Sequence, residues 1–197
     1  VGGSATVDGG AGCMQALGVQ LLNAQGQPVP RGGGALREAA RIDTSRLLAP
    51  LREGRVQVLV ACDVDNPTLG PQGAAAVFGP QKGATPEQVA ALEANLRHFF
   101  TLVAGQTGAD VRVLPGGGAA GALSAGLAAF LGAELRSGID LVLDALHFEE
   151  RLAGVDLVIT GEGRMDSQTL SGKGPFGVAQ LAKARGVPTV ALVGGIG

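Results

Sequence analysis

The stretch DLVITGEGRMDSQTLSGKGPFGVAQLAKARGVPTVALVGG, Asp156 to Gly195, carries the reading of the fold. It opens on the apolar run DLVIT and closes on VPTVALV, each with the length and β-branched content of a buried strand. Between them PFGVAQLAKARG has Pro175 at a helix start and Lys183, Arg185 and Gly186 at its end, where the missing proline N–H, the helix dipole and a left-handed cap favour those residue types. Strand, loop, helix, strand implies two parallel strands joined by a right-handed crossover. The loop after the first strand then lies at the carboxyl edge of the sheet, where open α/β sheets bind ligands.

That loop is the polar run TGEGRMDSQTLSGKGP, Thr160 to Pro175, in a chain otherwise dominated by Ala, Gly, Leu and Val. Gly161 and Gly163 keep the backbone thin, while Glu162, Arg164, Asp166, Gln168, Thr169, Ser171 and Lys173 offer charges of both signs and neutral donors. The mixture suits a polar anionic ligand. Phosphoryl transfer asks a protein for positioning and for charge stabilisation by Lys, Arg, magnesium and helix N–H groups, with a carboxylate oriented on the attacking hydroxyl. The competing reading is a solvated surface loop whose charges pair with each other. No GxSxG elbow is present, and GxxxxGK[ST] is absent because Gly172-Lys173 is followed by Gly174. A kinase built on this chain needs a different phosphate cradle.

Upstream, GGSATVDGGAGCMQALGVQLL reads as a glycine-rich loop feeding a helix, with Asp8 as N-cap and Met14, Leu17 and Leu21 at helical spacing. RVQVLVACDVDNPTLGP predicts a strand from Arg55 to Ala61, buried on both faces, running into an acidic turn. Asp63 and Asp65 stand two apart at its end, so both carboxylates could meet one cation or substrate; an Asx-type turn closed by Asn66-Pro67 is the equal alternative. TPEQVAALEANLRHFFTLVAGQTG predicts the clearest helix: Thr85 caps, Pro86 fits the first turn, Gln88 completes a capping box, and Val89, Leu92, Leu96, Phe99 and Val103 form one stripe. His98 and His147 read as partly exposed helix residues.

ADVRVLPGGGAAGALSAGLAAFLGAEL reads as strand, glycine turn, helix. Gly116, Gly118 and Gly121 spell GxGxxG, which raises an NAD-dependent dehydrogenase as an alternative, with Glu134 or Asp140 as the ribose acid. Glycine is so abundant here that chance matches are common.

The 197 residues include 34 glycines, 10 prolines and 46% hydrophobic residues, a composition that folds. The net charge of −2, with no Trp or Tyr, supplies neither a basic phosphate-tracking face nor a stacking platform, which argues against nucleic acid as a partner. Cys13 and Cys62 are far apart without ligand-spaced partners and read as two buried thiols in a reducing compartment. No apolar run is long enough for a membrane span, so a cytoplasmic protein is expected. The chain opens on Val1-Gly2-Gly3-Ser4 without an initiating Met and closes on TVALVGGIG, a strand and loop with no helix after it, so a fragment is expected.

GGSATVDGGAGCMQALG, DVDNPTLGPQGAAAVFGPQKGAT, PGGGAAGALSAGLAAFLGAEL and DLVITGEGRMDSQTLSGKGPFGVA together resemble the bacterial glycerate kinase family that forms 2-phosphoglycerate. The resemblance runs over essentially the whole chain. Val7 stands where that family usually has Asn, Gly117 where it usually has Ala, and Ala122 where it usually has Gly. The resemblance implies a two-lobe α/β kinase using ATP and magnesium on D-glycerate held between lobes. Residues 1–154 would form the larger α/β lobe and 155–197 the βαβ portion of a Rossmann-like lobe. On chemistry at the matching motifs, Asp166, Lys173 and Arg164 are the catalytic candidates. Gly2, Gly3, Ser4, Thr6, Asp8, Asp63, Asp65, Glu162, Gln168 and Thr169 are the binding candidates, with Asp63, Asp65 and Asp166 able to hold magnesium. A non-catalytic small-acid-binding module is the remaining alternative.

Overall fold

The computed structural model describes residues 1–165 and 174–197. The chain divides into two compact units, Val1–Leu135 and Arg136–Gly197.

The first unit is organised by one long helix. Pro86–Thr107 (its label, α4, follows from three shorter helices upstream) begins at the expected capping box: the Thr85 hydroxyl accepts the Gln88 N–H at 3.3 Å, and the Gln88 side-chain oxygen accepts the Thr85 N–H at 2.8 Å. It ends at Gly108, whose φ of 78° is the left-handed cap that glycine adopts without strain. Its inner face buries Leu96, Phe99, Phe100 and Val103 completely. Phe99 meets Phe100 edge to face at 5.1 Å and Phe130 at 6.3 Å. α3 (Ala74–Phe78) and α5 (Ala119–Leu131) pack against it, α1 (Ala11–Ala16) packs on α5, and α2 (Ala49–Arg52) adds Leu51 to the edge of the core that holds Met14, Leu21, Leu36, Leu69, Ala74 and Ala125. Three short strands, β1 (Gln20–Leu22), β2 (Arg41–Asp43) and β3 (Leu59–Ala61), complete it, and β4 (Glu134–Arg136) crosses the boundary. β1 and β2 pair antiparallel, Leu21 opposite Ile42, while β3 neighbours β4.

The loop Thr6–Gly10 is clamped between elements distant in sequence. A Cβ on Gly33 would lie 1.9 Å from the Val7 carbonyl oxygen, and one on Gly121 would lie 2.0 Å from that of Thr6. Only glycine lets these backbones touch. The Gly9 N–H donates to the Gly121 carbonyl at 3.0 Å and fixes the loop against the start of α5.

In the second unit, β5 (Val158–Glu162), α8 (Gly174–Ala184) and β6 (Thr189–Val193) form the expected βαβ, with β5 and β6 parallel and in register from Val158↔Thr189 to Glu162↔Val193. Two further helices, α6 (Gly138–Ala145) and α7 (Phe148–Arg151), belong here too. Phe148 and Leu152 pack on Ala182 and Val187, Ile139 closes on Gly177, and Arg185 Nε donates to Glu149 at 2.7 Å. These contacts put the boundary at Leu135 rather than at residue 154.

Several local expectations change. Leu21 belongs to β1, because α1 stops at Leu17 and Gly18 turns the chain. The strand expected over Arg55–Ala61 shrinks to β3, with only Val60 buried and Leu59 exposed, since β3 has a single described strand neighbour. No strand forms ahead of Pro115: the Asp110 carboxylate accepts the Arg112 N–H at 3.1 Å, folding the chain into a turn that leaves Val113 78% exposed.

Candidate functional site

Loop 1–8 is tied to the short 3-10 turn Pro80–Lys82 that follows α3. Lys82 Nζ donates to Ser4 Oγ at 2.8 Å and to the Thr6 carbonyl oxygen at 2.7 Å. Burial pulls the Lys82 pKa below its ordinary value, and the charge of Asp8 opposes that pull. Among the described residues no carboxylate comes within ion-pair distance of this ammonium. Lys82 lines two cavities. One, of about 200 Å³, is bounded by Gly2, Gly3, Ser4, Phe78 and Ala120. The other, of about 430 Å³, is bounded by Ala5, Val7, Gly83, Gln88 and Asn95.

Sequence reasoning passed over Lys82. The signal available was a lysine set between Pro80 and Gly83, a tight turn that aims one long cation from a fixed base. The candidates in this unit fall in three places. Gly2, Gly3 and Ser4 line the smaller cavity. Thr6 contributes its carbonyl to Lys82, while its side chain is exposed. Asp8 is 7% exposed, and the N-cap of α1 is Gly10 rather than Asp8 as expected, because the chain makes a left-handed turn at Gly10 before the helix; from two residues upstream Asp8 Oδ1 accepts the Gly10 N–H and Oδ2 the Gly12 N–H, each at 3.1 Å. Val7 is a core residue, so apolar Val suits a position where a polar side chain would need a buried partner.

Asp63 and Asp65 are exposed on the extended segment after β3. The Asn66 side-chain amide donates to the Gln72 carbonyl at 2.9 Å. Magnesium keeps several waters and takes one or two protein carboxylates plus substrate phosphates, a demand that Asp63 and Asp65 fit by type and exposure. Among the described residues no third His, Cys, Asp or Glu gathers with them.

In the second unit, Glu162 ends β5 and Arg164 is exposed on the segment beyond it, its guanidinium against Gly197. Asp166, Gln168, Thr169 and Lys173 lie outside the described residues.

The dinucleotide reading of Gly116–Gly121 fails on context. No strand precedes it, and Ala120, Gly121 and Ala122 all take positive φ, so the helix start is unwound. The glycines face the protein itself: a Cβ on Gly117 would lie 2.3 Å from Thr68 Oγ1, and one on Gly118 would lie 2.4 Å from the Pro67 carbonyl. No room is left for a pyrophosphate against them.

The thiols also differ from expectation. Cys13 is an exposed residue of α1 rather than a buried one; partial burial of its thiol, and then the charge of Asp8, raise its pKa. Cys62 is half-buried, its Sγ 3.3 Å from the Val64 carbonyl. His98 is an exposed helix residue as expected, bonded to the Ala39 carbonyl at 2.7 Å. His147 is exposed too, but it stands at φ 50° ahead of α7 rather than within a helix.

The profile of the glycerate kinase family matches residues 1–197. The chain belongs to the glycerate kinase family. It is 52% identical over 197 residues to a glycerate kinase of Halalkalibacterium halodurans, covering 100% of this chain and 51% of that one. It is 47% identical over 196 residues to the glycerate 2-kinase of Escherichia coli K12, again covering 51% of that protein. A crystal structure described as a glycerate kinase 2 from Salmonella typhimurium LT2 superposes with a TM-score of 0.90 at 53% identity, covering 99% of this chain and 52% of that one. The chain thus spans about half the length of these glycerate kinases.

Proposed function

We propose that the whole protein transfers the γ-phosphoryl group of ATP to D-glycerate, forming 2-phosphoglycerate. The observation that carries this reading is the family match over all 197 residues. It is supported by relatives named for glycerate phosphorylation, one of them for the 2-position.

Lys173 and Arg164 neutralise phosphate or carboxylate charge in this reading, and Asp166 orients the attacking hydroxyl or joins the magnesium ligands. Glu162, Gln168 and Thr169 supply polar contacts to the nucleotide or the acid. Gly2, Gly3, Ser4, Thr6 and Asp8 furnish a second polar wall, with Asp8 acting through the Gly10 and Gly12 N–H groups that its carboxylate holds. Asp63 and Asp65 are proposed as further carboxylates on magnesium. When bound, magnesium supplies neutralisation of the charge developing on the β- and γ-oxygens of the triphosphate. Positioning two reactants is worth roughly 7–11 kcal/mol of barrier, so the 197 residues alone, half the span of the relatives, are proposed to be inactive. No membrane partner is proposed: among the described residues no helix is long and apolar enough to cross a bilayer. Its place is the cytoplasm, where both substrates would be found.

A coupled assay of ADP release tests the reading. Turnover by the whole protein should depend on D-glycerate, and Lys173→Ala should lower kcat at least tenfold, roughly the 1.4 kcal/mol of one charge-assisted contact, with the melting temperature nearly unchanged. ADP release indifferent to D-glycerate would overturn it.

A further inference from the structure

We propose that the cavity bounded by Gly2, Gly3, Ser4 and Lys82 seats the carboxylate of the acceptor acid, with the Lys82 ammonium as its counter-ion. This rests on the glycerate kinase reading and names the part of the substrate that this wall recognises.

Three independent observations converge. The first is charge. Lys82 spends two of its three N–H donors on neutral oxygens, Ser4 Oγ and the Thr6 carbonyl, and has no carboxylate in ion-pair range among the described residues. A half-buried ammonium held by neutral groups is short of compensation, and a bound anion supplies it. Asp8 is the carboxylate whose charge reaches Lys82, but both of its oxygens are engaged by the Gly10 and Gly12 N–H groups.

The second is backbone. Among the described residues the N–H groups of Gly2, Gly3 and Ser4 donate to no protein acceptor. Gly3 stands at φ 64°, and successive N–H groups around a left-handed residue make a concavity suited to an anion.

The third is size and lining. At about 200 Å³ the cavity is below the roughly 300–1,000 Å³ of pockets for drug-sized ligands, a size that suits a three-carbon acid better than a nucleoside triphosphate. Apart from Ser4, Gln81 and Lys82, its side chains are apolar or absent, with Val64, Phe78, Ala119 and Ala120 among them. Such walls lower the local dielectric and strengthen an ion pair formed inside.

The test uses the whole protein. In its side-chain ammonium NMR spectrum the Lys82 signal is assigned by its loss in Lys82→Arg. D-Glycerate should shift the Lys82 signal saturably, while glycerol, its neutral analogue, and ADP should not. By calorimetry Lys82→Gln should weaken D-glycerate binding at least about tenfold, as expected for loss of a charged hydrogen-bond donor, and Lys82→Arg should retain most of it. An unmoved Lys82 signal at saturating D-glycerate, an equal shift with glycerol or ADP, or unchanged affinity in Lys82→Gln overturns the proposal. Should Lys82→Gln fail to fold, the wild-type spectrum alone decides. None of these results bears on whether the whole protein phosphorylates glycerate, which product formation tests separately.

Discussion

The ammonium of Lys82 stands 2.7 Å from the carbonyl oxygen of Thr6, joining residues 76 apart in the chain. With the bond to Ser4 Oγ it fixes loop 1–8 against the turn after α3. Ser4→Ala removes one of the two anchors and should lower stability by about 1 kcal/mol in urea unfolding. Thr6→Ala should cost less than about half of that, because the bound atom is a backbone oxygen. Equal losses in the two variants would show that the tether is not the stabilising feature.

Asp8 does two things from one position. Its carboxylate accepts the Gly10 and Gly12 N–H groups at the start of α1, and its charge adds to partial burial of the sulfur in holding the Cys13 thiol above the ordinary cysteine range. Asp8→Ala should cost about 1–2 kcal/mol for the acceptors lost by the Gly10 and Gly12 N–H groups. Asp8→Asn keeps an oxygen for these donors but removes the charge, so the thiolate forms at lower pH and Cys13 should alkylate faster with iodoacetamide near pH 8. An unchanged alkylation rate in Asp8→Asn would leave burial as the sole cause of the raised pKa.

The parts of this fold that sequence shows directly are those set by near neighbours. The capping box at Thr85 and Gln88, the stripe Leu96, Phe99, Val103, and the strand–helix–strand pattern after Asp156 all rest on spacing within one or two elements. What the sequence hides depends on contacts between distant residues. Lys82 looks like any surface lysine until Ser4 and Thr6 close on it. The unit boundary moves to Leu135 because Phe148 and Leu152 bury against Ala182 and Val187. The strand expected before Pro115 is lost to a single Asp110–Arg112 turn that apolar alternation masks. Of the candidate site, loop 1–8 stands out in the sequence as polar residues in a glycine-rich segment, whereas the expectations for Asp166 and Lys173 lie outside the described residues.

The start of α5 is strained at Ala120 and Ala122 and crowded at Gly121 between them. Ala120 takes φ 54°, a conformation costing an L-residue about 1–2 kcal/mol, so Ala120→Gly should be neutral or stabilise by up to about 1 kcal/mol after the greater flexibility of unfolded glycine is counted. Gly121→Ala would set a Cβ 2.0 Å from the Thr6 carbonyl oxygen at a position with φ 70°. It should destabilise by at least about 2 kcal/mol. Thermal unfolding of the pair checks both signs, and a tolerated Gly121→Ala would mean that loop 6–10 does not pack on α5 as described.

Asp110 is fully exposed, yet hydrogen bonds from the Arg112 side chain and backbone hold its carboxyl at about 2. The folded value lies below the roughly 3.9 of an unfolded Asp. The group therefore adds a small stability that is present above about pH 4 and lost as pH falls towards 2. Asp110→Asn should flatten the fall in stability across that window and leave neutral-pH stability nearly unchanged apart from the lost ion pair. Identical acid-unfolding profiles for wild type and Asp110→Asn would contradict the assignment.

The most direct test of the account is phosphorus NMR of the product made by the whole protein from D-glycerate, ATP and magnesium. The account predicts a single new phosphomonoester, coupled to the proton on carbon 2, that matches 2-phosphoglycerate. Formation of 3-phosphoglycerate, or no phosphorylated acid at all, would contradict it.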